Sequence, residues 1–517
     1  MKAQDYQISS EKFVFHTTSG DLHDTKLETK PVSYFRDALN RFAKNKASIV
    51  AAAIIAFLML FAAFGPLFTP YRVADEDMNY ALARPKNKIF YNLGIHFWDG
   101  GQEKKELTKK TYKQYEAIQI ELGREVIMGD VEYRKEVYMG KDKEYYSFRL
   151  DTYNSVGVIY VNLPTEKYIA LQQYQDKHNV QVILPYTYHE PGSVGQDQTE
   201  NANLWYKTEI GSGLQTEIVY DEYGNFIPAY KADDGTDMYF STQYHEGDEK
   251  IYSYAEPKDN GTNWKVRVDY LEYYKYKHAM AGDKIKEPCF LFGANHAGKD
   301  IFVCLASGAR FSFILAILVS SINLLVGAIY GAIEGYYGGK IDILMERFVE
   351  ILSAVPFMIV ITLLKYHFEG VSQVLILFIA FFITGWTGMA ARTRMQFYRF
   401  KNQEYVLVAR TLGANDRRIM FKHIFPNELG TLITGSVIVI PGVIFSETSL
   451  SYLNIISLST GNLTSVGTLL ATSQTYLTTD PHTMLFPSLF ISLLMLSFNL
   501  FGNGLRDAFN PSLRGTE

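Results

Sequence analysis

The hydrophobic positions of this chain are concentrated in long apolar stretches that polar sequence separates. Residues 47–68 form an apolar run without a charged side chain. A helix needs about 20 such residues to cross a bilayer core of about 30 Å. We therefore predict a membrane-spanning helix here and in each of five later stretches, which are residues 311–333, 348–364, 371–391, 429–446 and 484–501.

The flanks and breaks of these stretches refine the prediction. About 45 residues precede the first stretch, and its apolar run is longer than a signal-peptide core, so we expect a retained membrane helix. The third stretch is short and begins near Glu350 and Pro356. The fifth contains Pro441 and Gly442, which predict a kink of the kind that neighbouring helices tolerate in membranes.

Basic residues mark one side of the membrane. With six helices, the three basic segments lie on the same side, and the positive-inside rule makes that side the cytoplasm. Both termini are then predicted to be cytoplasmic, and residues 71–297 to be outside. The basic residues are Arg36, Arg41, Lys44 and Lys46 before the first helix, Arg392, Arg394, Arg399, Lys401, Arg410, Arg417, Arg418 and Lys422 between the fourth and fifth, and Arg506 and Arg514 after the sixth.

Residues 71–297, called here the polar region, have the length and the patterning of a separate domain. Thr165–His178 reads as an amphipathic helix with Thr165 as a possible N-cap. Residues 221–225 (DEYGN) are typical of a hairpin turn. An α+β fold is therefore expected, with strands at residues 155–162, 180–184, 214–220 and 264–270.

The predicted fold class is an all-α polytopic membrane protein of six transmembrane helices with an inserted extracytoplasmic α+β domain. The expected divisions follow the patterning. They are a cytoplasmic segment 1–46, a first helix 47–68, the polar region 71–297, a membrane core 301–505 that includes the loop 392–427, and a cytoplasmic tail 506–517.

Composition and charge remove some classes of function. The chain is 47% hydrophobic and 15% aromatic, and its mean hydropathy of −0.06 averages over an apolar and a polar part. The net charge of −5 argues against a nucleic-acid partner. Cys289 and Cys304 form no CxxC pair; a disulfide between them is possible, but isolated thiols are favoured.

Two patterns outside the membrane suggest chemistry without supporting it. His189 beside Glu190 is a potential pair of metal ligands, although a solvated loop is favoured. Gly293–Lys299 has the spacing of a nucleotide phosphate loop, but Asp300 stands where a serine or threonine is needed. A glycine-rich entry into the second helix is therefore expected, with no cofactor and no catalytic group. The many tyrosines fit either a recognition surface or β-rich packing.

Residues 404–427 (EYVLVARTLGANDRRIMFKHIFPN) predict a helix, a break and a second helix. Gly413, Ala414 and Asn415 form the break, Asp416 can cap the second helix, and Pro426 is expected to end it. The segment is basic and amphipathic and joins two membrane helices. From its residues alone it reads equally as a solvated loop or as a docking element.

This segment resembles the coupling loop of binding-protein-dependent ABC importer permeases, and in particular the dipeptide/oligopeptide/nickel group and its OppC/DppC type of subunit. Residues 292–302, 308–312, 336–342, 347–356, 447–453 and 498–511 also fit that group, and with residues 33–68 roughly half of the chain is covered. The loop residues that match are Glu404, Tyr405, Val406, Ala409, Arg410, Leu412, Gly413, Ala414, Arg418, Ile419, His423, Ile424, Pro426 and Asn427.

The resemblance implies a non-catalytic transport subunit in a bacterial plasma membrane. Its expected partners are a second permease subunit in a heterodimer, two cytoplasmic ATPase subunits, an extracytoplasmic peptide-binding protein and membrane lipid. Glu447 is expected to line the translocation path or its gate, or to be a rim residue without a transport role. The expected ATPase-coupling residues are Glu404, Tyr405, Ala409, Arg410, Gly413, Ala414, Asp416, Arg417, Arg418, His423 and Pro426.

Departures from the family pattern and other classes of function leave alternatives. Leu407 and Val408 stand where the general importer pattern has Glu and Ala, and the polar region is a large insertion. A dipeptide or nickel importer fits nearly as well as an oligopeptide importer. A membrane-anchored receptor would need a signalling domain after its last helix, and a membrane enzyme would need paired catalytic groups within the helices.

Overall fold

The protein is described by a computed structural model that covers residues 34–93, 96–138, 141–195, 198, 200–211, 216–232, 252–458 and 464–509. Parts of the predicted cytoplasmic ends, including Arg514, and of the predicted strand 214–220 lie outside these residues. The helices in chain order are α1 (Tyr34–Lys44), α2 (Lys46–Phe64), α3 (Lys88–Asn92), α4 (Lys109–Leu122), α5 (Thr165–His178), α6 (Tyr270–Ala281), α7 (Ile301–Tyr337), α8 (Gly339–Ala354), α9 (Phe357–His367), α10 (Gln373–Gly385), α11 (Thr387–Phe400), α12 (Glu404–Thr411), α13 (Asp416–Arg418), α14 (Phe425–Tyr452), α15 (Val466–Ser473) and α16 (His482–Phe509).

Long apolar helices form the larger part of the structure. Within the described ranges, five helices are long and apolar enough to cross a membrane, or up to six if the bent pair α8 and α9 is one span. The axes of that pair meet at 75° around Val355 and Pro356. Proline removes a backbone donor and forces the preceding residue out of the helical region, which explains the break. The predicted third span is therefore two helices, and α14 continues through Pro441.

Helix α7 lies at the centre of the membrane part, in contact with α2, α10, α11 and α14. Its glycines allow the closest approach. A side-chain carbon at Gly327, Gly331 or Gly335 would lie less than 3.0 Å from atoms of α11. Small residues at such spacing let two helices pack backbone to backbone in a membrane, where apolar burial gives little driving force.

The described residues of the polar region form three small antiparallel sheets. One has the order β1-β3-β2 with α4 packed on it, one the order β4-β9-β5 with β8 added to β9, and one the hairpin β6-β7. The strands are β1 (Gly101–Thr108), β2 (Ile127–Tyr138), β3 (Lys141–Asp151), β4 (Val158–Pro164), β5 (Ile183–Leu184), β6 (Thr208–Ile210), β7 (Thr216–Ile218), β8 (Ala255–Lys258) and β9 (Asn263–Asp269).

A buried ion pair fixes α4 to β9. The Arg267 guanidinium donates from Nη2 to Glu121 Oε2 at 2.6 Å, and both side chains are almost fully buried. Arg124 binds both carboxylate oxygens of Asp269 at 2.8 Å. Because a buried charge needs a partner with good geometry, these two bidentate pairs specify how the first two sheets meet.

The sequence-based expectations for the polar region are partly confirmed. The helix Thr165–His178 has the predicted bounds, and Asp221 accepts hydrogen bonds from the backbone of Tyr223 and Asn225 in the predicted turn. Thr165 is not the N-cap, because Pro164 holds that position and the Thr165 hydroxyl donates to Thr262 O instead. The strand predicted at 155–162 is shifted to β4, Val158–Pro164, and the one predicted at 180–184 is shortened to β5, Ile183–Leu184.

The segment with phosphate-loop spacing is a structural turn. The Asn295 side chain accepts hydrogen bonds from the backbone of Ala297 and Lys299, and Gly298 adopts a positive φ against the backbone of Asp77. Asp300 caps α7 by accepting from Phe302 N at 2.9 Å. In the polar region a ring nitrogen of His189 bonds Leu204 O. Both cysteines are free thiols: Cys289, in the polar region, is exposed, and Cys304, in the first turn of α7, is buried.

Candidate functional site

The break predicted around Gly413 is a helix C-terminus of the Schellman type. Gly413 has a φ of +81° and its N–H donates to Arg410 O, while Ala414 N–H donates to Ala409 O, both at 3.0 Å. These two bonds satisfy carbonyls that the end of α12 would otherwise leave unpaired. A side chain is disfavoured at this φ, so glycine sets the angle between the two arms.

The second arm begins at Asn415 and does not end at Pro426. The Asn415 side chain, rather than that of Asp416, accepts from Arg418 N at 2.9 Å and caps the helix. A π-helical segment, Ile419–Ile424, then leads directly into α14. Pro426 lies at the start of α14, directly after the π-helical segment, and the helix continues through it, so the predicted helix end at Pro426 is wrong.

The inner face of this helix–turn–helix is fastened to α7. The Tyr336 hydroxyl donates to Asp416 Oδ1 at 2.6 Å, and Arg410 Nη2 lies 3.4 Å from the same hydroxyl. Val406 and Ile419 are fully buried against Tyr336 and the end of α11. The two arms and the end of α7 therefore share one small core and are held in a fixed relation.

The outer face is exposed and mixes apolar with basic side chains. Leu412 is 81% exposed and Val408 56% exposed, although both are large hydrophobic residues. Beyond the turn lies a hollow of about 450 Å³, lined by Asn415, Arg417, Arg418, Phe421, Lys422 and Pro426. Exposed apolar side chains beside unpaired cations are typical of a surface that a complementary protein covers.

An ion-pair network that the sequence reading missed lies next to this element. Arg394 on α11 binds Asp342 through Nε at 2.6 Å and Glu346 through Nη1 at 3.0 Å, and its Nε lies 3.3 Å from Glu334. The Tyr398 hydroxyl also donates to Asp342. One guanidinium therefore joins α7, α8 and α11 at the end of the bundle that carries the loop. The two residues Asp342 and Arg394 are 52 positions apart, and no local pattern in the sequence marks their pairing.

Glu447 lies inside the protein rather than on an open surface. It is 0% exposed, and its carboxylate accepts from Ser312 Oγ at 2.9 Å and from Ser451 Oγ at 3.0 Å. Ser312 belongs to α7, so the carboxylate joins α7 to α14. Its neighbours are hydroxyls and not cations, so Glu447 acts in this conformation as a hydrogen-bonded link between helices.

The predicted loop residues are brought together, but they do not share one role. Ala409 is buried, Ala414 and His423 are partly buried, and Arg410 and Asp416 point to Tyr336. The remaining predicted residues are exposed, and they are Glu404, Tyr405, Gly413, Arg417, Arg418 and Pro426.

Comparison with known proteins gives two family matches. Residues 323–515 match "Binding-protein-dependent transport system inner membrane component", and residues 33–85 match "N-terminal TM domain of oligopeptide transport permease C". The polar region after residue 85 lies between the two matches. The matched segments therefore contain the whole helix–turn–helix and the helices α8 to α16.

Curated relatives agree with these matches. The oligopeptide transport system permease protein OppC of Bacillus subtilis is 39% identical over 47% of this chain and 78% of its own length. The dipeptide transport system permease protein DppC of Lactococcus lactis is 32% identical over 56% of this chain and 76% of its own. A solved methionine ABC transporter chain, MetNI, aligns at 14% identity with a TM-score of 0.33, covering 40% of this chain and 96% of that one.

Proposed function

The chain belongs to the family of binding-protein-dependent transport system inner membrane components, and from this premise we propose that it is a permease subunit of an ATP-driven peptide importer. The names of the relatives described above state that they belong to oligopeptide and dipeptide transport systems. The substrate proposed for this chain is accordingly a short peptide, and the reaction is its movement across a membrane without covalent chemistry.

The observation that carries the proposal is the exposed face of the helix–turn–helix. Leu412, Val408 and Phe421 present apolar surface, and Arg417 and Arg418 present charge, on a segment whose opposite face is locked to α7. We propose that an ATPase subunit covers this face. Acidic groups on that subunit would pair with the two arginines, because charge complementarity fixes the register of an interface.

The direct connection to α14 supports a mechanical role for this surface. The second arm continues through the π-helical segment into α14 without a loop, and Tyr336 holds the turn on α7. A push on the turn by two closing ATPase subunits would therefore act on both α7 and α14. Two such permease subunits, of which this chain is one, would enclose the path between them.

The orientation follows from the basic residues and from the bent pair. If α8 and α9 count as one span, both termini and the helix–turn–helix lie on the same side, which the positive-inside rule makes cytoplasmic. The polar region then lies outside, in a bacterial plasma membrane. We propose that it receives a peptide-loaded binding protein or covers the mouth of the path. Glu447 is proposed to hold α7 and α14 together near that outer end, and its predicted place on the path stays a prediction.

Purification of the tagged full chain in mild detergent tests the proposal. We expect a second permease and ATPase subunits to copurify, and reconstituted vesicles to take up a labelled peptide when ATP and the binding protein are supplied. A matched pair of variants separates docking from folding: Arg417→Glu with Arg418→Glu on the exposed face, and Lys340→Glu with Arg347→Glu on α8, which are not among the residues that line the hollow beside the turn.

The loop variant should lose the ATPase subunits, and the α8 variant should retain them. Equal retention by both, or a chain that emerges alone with no ATPase, would contradict the proposed function. Folding of each variant is checked by its elution position and its melting temperature.

A further inference from the structure

A groove lined by three arginines lies between α11, α14 and α16. Its volume is about 400 Å³. The lining residues of each helix lie on one face of it, because most of them are three, four or seven positions apart. They are Arg392, Gln396 and Arg399 on α11, Thr431, Thr434, Gly435 and Ile438 on α14, and Arg506 and Phe509 on α16.

The arginines of this groove have little to bind within the protein. Arg392 donates one long hydrogen bond, 3.4 Å, to Gly435 O. In the part of the chain that the structure describes, none of Arg392, Arg399 and Arg506 forms an ion pair with a carboxylate. Glu428, a turn before Thr431, is buried and interacts electrostatically with Arg399, which leaves the groove with a net positive charge.

The depth of the groove makes this excess charge unusual. Arg392 precedes Arg399 by two helical turns, so it lies about 10 Å further into the bundle. A guanidinium at that depth is costly unless water, a partner or a ligand faces it. Positive charges at the end of a membrane helix are ordinary, but three that converge on one cavity from two helices, α11 and α16, are not explained by orientation alone.

We propose that this groove binds the phosphodiester headgroup of an anionic phospholipid from the cytoplasmic leaflet. Guanidinium groups bind phosphate oxygens through paired hydrogen bonds, and Gln396 of α11 and Thr431 of α14 add polar side chains to the lining. Ile438 and Phe509 supply apolar surface for the start of an acyl chain. Basic pockets between membrane helices on the cytoplasmic side bind such headgroups. The inference goes beyond peptide uptake, because lipid retention is measured without transport.

Lipid retention by the full chain, purified with its copurifying partners, tests the proposal. Anionic and zwitterionic phospholipids are counted per chain by mass spectrometry for the wild type, for Arg392→Gln with Arg506→Gln, and for the control Lys340→Gln with Arg347→Gln. Both doubles remove two positive charges, but Lys340 and Arg347 lie on α8 outside the groove. Each lost contact to a charged group weakens binding about tenfold, so the groove variant should lose anionic lipid and the control should not.

A second measurement separates lipid from free phosphate and from poor folding. Wild-type protein in phosphatidylcholine nanodiscs is titrated with phosphatidylglycerol or with inorganic phosphate, and its melting temperature is followed. A rise with phosphatidylglycerol alone, reduced in Arg392→Lys, supports a lipid site, because lysine keeps the charge but not the paired geometry. A rise with inorganic phosphate alone overturns the lipid assignment. Equal lipid retention by both double variants also overturns it. Loss of peptide uptake with unchanged lipid overturns it as well and assigns the groove to the peptide path.

Discussion

Arg84 of the polar region forms an ion pair with Asp480, which precedes the last membrane helix, at 3.3 Å between Nη2 and Oδ1. The same guanidinium donates to Thr479 O at 2.7 Å, and Gln102 donates to Asp480 Oδ1 at 3.0 Å. Burial lowers the pKa of Arg84 and the nearby Asp480 charge opposes that effect. These contacts tie the polar region to the start of α16, so the two are expected to move together.

Replacement of Arg84 by Gln should destabilise the protein by about 1–3 kcal/mol, because Asp480 would keep a buried carboxylate without its cation. Thermal unfolding of the purified chain measures the change. The control is Lys88→Gln, which breaks the exposed pair with Glu287 and should change stability by less than about 1 kcal/mol. Equal losses in the two variants would show that the Arg84 contact does not tie the two parts together.

Replacement of Gly413 should act on coupling rather than on membrane insertion. Alanine at a positive φ costs about 1–2 kcal/mol, and proline also removes the N–H that Arg410 O accepts, so Gly413→Pro should open the turn. We expect peptide uptake to fall strongly while ATP hydrolysis continues without it. Gly388→Ala on α11 is the control, since a side chain there meets open space in a helix. Normal uptake by Gly413→Pro would exclude the loop as the coupling element.

Replacement of Glu447 distinguishes a link between helices from a path residue. The amide oxygen of glutamine can accept from one serine, and its NH2 group can donate to the hydroxyl of the other. Glu447→Gln should therefore retain stability within about 1 kcal/mol and also retain uptake. Alanine leaves two hydroxyls unpaired beside a cavity and should cost about 2–5 kcal/mol. Melting temperature and uptake are measured together. Loss of uptake in a fully stable Glu447→Gln protein would favour the path instead.

Asp300 predicts a pH dependence of stability. Burial raises the pKa of this carboxyl from 3.8 to about 7, against the opposing hydrogen bonds from Phe302 N and Thr69. A raised pKa in the folded state means that folding favours the protonated acid. The stability contribution of this group is therefore most favourable below about pH 4, falls between pH 4 and 7, and stays low above pH 7.

Asp300→Asn removes this dependence while keeping the N-cap of α7, because asparagine caps as well as aspartate. The variant should match the wild type at pH 4 and be more stable at pH 8, by a few kcal/mol at most at about 1.4 kcal/mol per unit of pKa. Melting temperatures across this range measure the difference. A variant that is less stable than the wild type at pH 8 would show that the carboxylate is charged and favourable in the folded protein.

The membrane helices and the turn at Gly413 could be predicted because each rests on a local signal. Long apolar runs have one structural solution in a membrane, and a glycine after a helical pattern reads directly as a C-terminus. The end predicted at Pro426 failed because the π-helical segment Ile419–Ile424 joins two helical stretches into one, and the proline lies where the hydrogen-bond pattern changes from π to α. Whether a proline ends a helix depends on the carbonyl of the preceding turn that would otherwise accept its N–H, and sequence spacing does not show how that carbonyl is placed.

The sheet β1-β3-β2 and the Arg394 network were missed for a different reason. Half of the residues of strand β1 (GQEKKELT) are exposed and half are charged, and its pairing with β3 joins residues that are 50 positions apart at Gly101 and Asp151 and 37 apart at Thr108 and Tyr145. Likewise Arg394 meets Asp342 and Glu346 only after α11 packs on α7 and α8. Long-range pairing of polar residues leaves no periodic pattern in either partner, so the sequence offers no local signal for it.

The unbroken path from Asp416 to Tyr452 also has a geometric consequence. At 1.5 Å per residue these 37 residues follow a helical path of about 55 Å. A tilt of about 5° about the end at the turn would displace the other end of a path of that length by about 5 Å. Glu447 lies five residues from that far end, where a displacement of this size exceeds the reach of its hydrogen bond to Ser312. A small rotation at the turn would thus suffice to exchange one set of contacts for another at the opposite face of the membrane.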